Sequence, residues 1–218
     1  MRRPAPDTAH HWGLPAALLC LLAAIFFTVP RAGAEPAAIP VLPISFAVAH
    51  VDGSPVVSDE WLAIQVDRAN RVFGAHKVNF RHVETRPLAE KHAKMETRQD
   101  RHALGAEMHP KVVNCFIVLS LRDVDDPSRY RRGVHWRPRG YPGKHFVIVS
   151  SIAGPHVLAH ELGHFFGNRP HSKVPGNIMS YDAGTVPRFF DRKQAKRIHR
   201  YARRFLKSGE LVPASEWD

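Results

Sequence analysis

The stretch His160-Glu161-Leu162-Gly163-His164 carries the residue types and spacing best suited to chemistry. Residues four apart on a helix lie one turn apart on the same face. Both imidazoles can therefore grip one metal ion. Glu161 stands beside them, placed to take a proton from a water held by that metal. This is the donor set of a zinc hydrolase. Zn2+ favours nitrogen and sulfur ligands in a tetrahedron, and a catalytic zinc keeps three protein ligands and leaves the fourth place for water. His160 and His164 supply two. A helix continuing past Gly167 would carry later residues away from the metal, but glycine can take positive φ and turn the chain. His171 follows that turn and is the expected third ligand.

The apolar pattern predicts the elements that must hold these residues. A strand is expected over Ile44–Val51, and a helix capped by Ser58, with a stripe of Leu62, Val66, Ala69 and Phe73 and an end at Gly74. A second strand is expected over Val78–Val83, and a short helix around Gln99–Met108. Val112–Leu121 is apolar on both faces and reads as a central strand. Residues 122–144, rich in Arg, Asp, Pro and Gly, read as a long loop with a short edge strand at Gly133–Trp136. His145–Ser151 is another apolar strand. Pro155 then opens the helix of the two histidines. A last helix, about Asp191–Lys207, has a capping-box start in Asp191 and Gln194. Its buried stripe is Ile198, Tyr201, Ala202 and Phe205. No repeat and no second domain is visible, so the order predicts one layered α/β domain.

The chain's start has its own signature. Arg2 and Arg3, an apolar run from Leu14 to Val29 and then Ala32-Gly33-Ala34 describe a secretory signal peptide. Cleavage is expected after Ala34, with residues 35–218 secreted or periplasmic. The run is shorter than the ~20 residues of a spanning helix. No other segment is as long and apolar, so no transmembrane span is expected in the mature chain, which should act as a monomer. The cysteines are Cys20 and Cys115. With Cys115 alone beyond the leader, an internal disulfide is excluded there, and its apolar surroundings make it a core residue. The formal charge is +11. Much of it falls on 188–207, which holds nine Lys or Arg against Asp191 alone. Such a face is either solvated or a docking surface for anionic partners. No aromatic or Gly-rich nucleic-acid motif accompanies it.

From His160 to Tyr181 the chain resembles the metzincin clan of zinc endopeptidases, whose pattern is H-E-x-x-H-x-x-G-x-x-H followed by a methionine turn. The resemblance implies a single metzincin-like domain: a mixed twisted sheet of about five strands with an N-terminal, an active-site and a C-terminal helix. It implies His160 and His164 as ligands, Glu161 as general base and Gly167 as the turn. Met179, in Asn177-Ile178-Met179-Ser180-Tyr181, corresponds to the methionine beneath the metal. Tyr181 corresponds to a tyrosine that some members place near the metal to ligate it or to stabilise the oxyanion. His171 falls one residue later than the clan's third ligand, where Pro170 stands, and Asp182 and Tyr181 are the alternatives. The implied activity is secreted zinc-dependent hydrolysis of a protein or peptide substrate laid along the edge strand. The competing reading is a non-catalytic exported domain that binds zinc or peptides, in which Glu161 would have little use.

Overall fold

A computed structural model describes residues 38–217, apart from 183, 185 and 186. The expected signal peptide lies outside the described residues. Among the described residues, eight strands and four α-helices follow in the order β1 (Leu42–Val51), β2 (Ser54–Pro55), α1 (Asp59–Gly74), β3 (Phe80–Leu88), β4 (Lys94–Met95), α2 (Arg98–Ala103), β5 (Val113–Val118), β6 (Ser120–Leu121), β7 (Gly133–Trp136), β8 (Phe146–Ser150), α3 (Val157–Phe165) and α4 (Arg192–Ser208). Short 3-10 turns lie among them.

In the main sheet β1 is an inner strand. It pairs in parallel with β3 on one side and with β5 on the other. β8 continues in parallel beyond β5, and β7 closes the far side in antiparallel. β2 folds back on β1 as a small hairpin. This is the mixed sheet the sequence implied, with β7 at the expected edge.

Side chains alternate across a strand, and here the alternation divides two cores. Ile44, Phe46, Val48, Val113, Cys115, Ile117, Val147 and Val149 face α1, α3 and α4. Ala47, Ala49, Phe116, Val118, Phe146 and Ile148 face the other way, onto Leu88, Met95 and Leu104 from the 88–104 segment. Both faces of the central strands are thus covered, which is why they read as unbroken apolar runs.

Four expectations need correction. The second strand starts at Phe80 and runs on to Leu88, because a β-bulge between Ile44 and Ser45 shifts the register and leaves Val83 without a partner on β1. Polar residues beyond it hid the continuation. The helix near Gln99 is α for Arg98–Ala103 only, then tightens to a 3-10 turn at Leu104–Glu107. The run to Leu121 is broken after Val118, and Ser120–Leu121 pairs instead with β4. The α1 stripe also differs, with Gln65 and Val72 buried where Val66 was expected.

Candidate active site

α3 brings its two histidines to one face, and its C-terminal cap places everything after them. The Gly167 N–H bonds the His164 carbonyl at 3.0 Å, and the Asn168 N–H reaches back to Gly163 O at 2.9 Å. These are the two bonds of a Schellman motif, with Gly167 in the left-handed region at φ 91°. A side chain at 167 would also strike the Tyr201 ring of α4. The chain therefore turns sharply at the expected glycine.

The turn points the Asn168 carbonyl at His164, whose Nδ1 lies 2.7 Å from it. His160 Nδ1 lies 2.7 Å from the Ile178 carbonyl. A carbonyl only accepts, so each Nδ1 carries the proton and each Nε2 keeps a lone pair. Partners of this kind fix the tautomer and ring orientation of metal-binding histidines. His171 arrives from the other side, its Nε2 at 3.2 Å from His164 Nε2. One ligand atom from each of His160, His164 and His171 lies within 4.8 Å of the others. Zn–N bonds of ~2.1 Å in a tetrahedron separate ligand nitrogens by about 3.4 Å, so the three imidazoles fit a zinc ion. Pro170 does not keep His171 away, and Asp182 does not join the group.

The methionine turn lies under α3. Met179 is fully buried, and a side chain at Gly163 would collide with its Sδ. Its own backbone N–H bonds Asn177 Oδ1 at 2.9 Å, and its carbonyl accepts the Ser172 N–H at 2.9 Å, which ties the turn to the residue after His171. Buried Asn177 pairs with Gln194 through both amides, at 2.8 and 3.2 Å. Gln194 is also the capping-box residue of α4, accepting the Asp191 N–H at 2.8 Å. One glutamine thus joins the start of α4 to the floor of the site. Gln65 of α1 supplies the other support. α3 has no side-chain cap of its own, and Gln65 Oε1 accepts the Leu158 N–H at 3.2 Å.

Glu161 is buried on the opposite flank of α3, against β7. A side chain at Gly133 would come within 2.8 Å of Glu161 Cγ and 2.9 Å of Oε1. Burial pushes its carboxyl up to about 8, opposed by the His135 backbone N–H and the charge of Arg131. The histidines shift the other way. Burial and then His160 push His164 down to about 4. His160 is lowered by burial, with His171 and Arg188 adding to it. His171 is lowered by burial and by Arg131. A cation among them would favour neutral imidazoles and an ionised Glu161.

Tyr181 is 75% exposed, with its ring 4.3 Å from that of His171 and 6.0 Å from that of His160. Gly133, Gln65, Asn177 and Arg131 escaped the sequence reading. Asn177 was visible inside the Met179 run and Gly133 at the start of the edge strand, but nothing local marks Gln65 or Arg131.

No family model and no curated protein matches the chain. Solved structures do. Mirolysin, solved with a small compound bound, aligns with a TM-score of 0.57 at 11% identity, over 81% of this chain and 100% of that one. Metalloproteinase-II from Bacteroides fragilis gives 0.53 at 13% identity over 77% of this chain, which spans 55% of that one. Archaemetzincin from Methanopyrus kandleri gives 0.51 at 15% identity, over 80% and 99%. The chain has the fold of the metzincin-type zinc metalloproteases.

Proposed function

We propose that the protein is an exported zinc-dependent endopeptidase, with His160, His164 and His171 holding the metal and Glu161 as general base. The observation that carries this is the convergence of three imidazoles, two of them held in one tautomer by backbone carbonyls, beside a buried glutamate at the foot of an edge strand. When bound, zinc supplies Lewis-acid polarisation of the peptide carbonyl and lowers the pKa of water at its open position. Glu161 takes the proton from the attacking water and passes it to the leaving amine. Met179 and the Asn177–Gln194 pair hold the floor, and Tyr181 stands where it can donate to the oxyanion. β7 orients the peptide by strand addition, since its pairing within the described sheet is to β8 alone.

The test is to load the purified protein with zinc and assay a mixed peptide library with and without a chelator, beside Glu161→Gln. One zinc per chain and cleavage lost in Glu161→Gln is the expected result. One zinc per chain with no cleavage by either protein would favour the peptide-binding alternative. Methylating alternate amides of a cleaved peptide tests the strand-addition pose, which requires one register to be far more sensitive than the other.

The basic face of α4 supports a second, separable role in docking to an anionic surface. Arg192, Lys193, Lys196, Arg200, Arg203, Arg204 and Lys207 are all exposed there. Retention on an anionic matrix should fall steeply with salt, and salt-insensitive retention would sink the idea.

A further inference from the structure

Arg131 is the charged group that the peptidase reading leaves unused. It lies just before β7, in a loop closed by an antiparallel bridge between Arg122 and Tyr130 and by the Arg131 N–H on Leu121 O at 2.7 Å. Its Nη2 is 2.7 Å from Asp123 Oδ2. Asp123 is itself buried, and its other oxygen accepts the Asp125 and Asp126 N–H groups at 3.0 and 3.4 Å. Both oxygens of the brace are thus engaged, yet 43% of the Arg131 side chain stays exposed. Two residues on, Gly133 packs against Glu161, which brings Arg131 to the Glu161 flank of the site, with the Tyr181 hydroxyl as a hydrogen-bond partner and His171 within reach of its charge. On the other flank Arg188 acts on His160 and donates to the Asp182 carbonyl at 3.2 Å. Of the acids near by, Asp123 is committed to Arg131 and Asp182 Oδ1 to the Gly184 N–H at 2.9 Å, while Glu161 is buried and is the proposed general base.

A planar guanidinium held on one edge by a buried carboxylate still presents N–H donors on its other edge, in the geometry that suits a second carboxylate. We propose that Arg131, braced by Asp123 at the mouth of the histidine cluster, selects peptides that carry a carboxylate beside the scissile bond. This rests on the peptidase reading of the same site. The carboxylate can come from an Asp or Glu side chain or from a free C-terminus. Both present the same ligand to the fork.

The experiment uses the zinc-loaded protein and peptides that vary one position on each side of the scissile bond as Glu, Gln or Lys, each with a free and an amidated C-terminus. At one position kcat/KM for Glu should exceed that for Gln by about tenfold, and the ratio should shrink with salt. A preference that vanishes on amidation assigns the terminal carboxylate, and one that follows Glu assigns the side chain. Arg131→Gln should bring the ratio to about one, whatever its effect on absolute rate, and Arg131→Lys should keep part of it. A wild-type ratio of one at every position, with no effect of amidation, overturns the proposal, as does a ratio unchanged in Arg131→Gln. Calorimetric binding of the same peptides to zinc-loaded Glu161→Gln separates the two readings. Carboxylate-selective binding without cleavage by the wild type would sink the peptidase and leave the Arg131 site standing.

Discussion

At the residue scale, single atoms decide whether the site assembles. Gly163 lies against Met179 so closely that a methyl group has nowhere to go. Gly163→Ala should cost about 1–3 kcal/mol by overpacking, measured by urea unfolding of the metal-free protein. Shortening Met179 to Ala in the same chain should recover part of that loss, whereas additive losses would show that the clash lies elsewhere. The ligands also set a pH dependence. All three imidazoles titrate below the ordinary histidine value, His164 at about 4. Protons compete with a metal only where the free ligand binds them. Zinc affinity should therefore hold from neutral pH down past the ordinary value of ~6.5, then fall in more acid solution. A decline already under way at neutral pH would contradict the burial that causes these shifts.

At the element scale, helix starts are the joints of the site. Asp191 and Gln194 form the capping box of α4, but Gln194 also holds Asn177. Asp191→Ala should cost about 1 kcal/mol and leave zinc affinity near wild type. Gln194→Ala also strands a buried amide, adding about 1–3 kcal/mol, and should weaken zinc because the floor under His160 loosens. Equal effects of the two on zinc would refute the link. The edge strand has a second tie. His135 Nε2 lies 2.7 Å from His145 Nδ1, and His145 Nε2 lies 2.8 Å from Glu210 just beyond α4. Burial lowers both histidines, although Glu210 opposes the shift at His145. Their folded values lie below the unfolded one of ~6.5, so the unfolded chain binds more protons in acid. Stability from this pair is full above that value and drains as pH falls below it. Urea midpoints measured from neutral pH down to pH ~5 should fall, and less so in His145→Phe.

At the scale of the whole molecule, no disulfide braces the described residues and Cys115 is a free, buried thiol. Burial, with Glu161 near by, raises it and makes it unreactive. Packing therefore carries the stability, and a metal bound at the histidines would add to it. Zinc at a hundred times its Kd should add about 2.7 kcal/mol. Removing it with a chelator should lower Tm by several degrees, while a reductant should leave Tm unchanged. No helix of the described residues is long and apolar enough to cross a membrane.

The sequence alone determined what is local. The histidine spacing, the glycine turn, the Met179 run, the cap of α4 and the three central strands each depend on contacts within a few residues, or on burial of a whole run. Gly133–Trp136 was legible for the same reason. The path after Val118 and the continuation of β3 past Val83 were not, since a change of partner strand and a bulge leave no periodic trace. Tertiary structure alone decided what lies between elements. It showed that His171 closes on His160 and His164 despite Pro170, because reach and a turn outweigh one residue of spacing. It also showed that Gln65 caps a helix 93 residues away, that Gln194 serves two elements and that Asp123 braces Arg131 beside the edge strand. Hydrogen bonds and charges across space depend on which surfaces meet, and that is settled only when both cores of the sheet are packed.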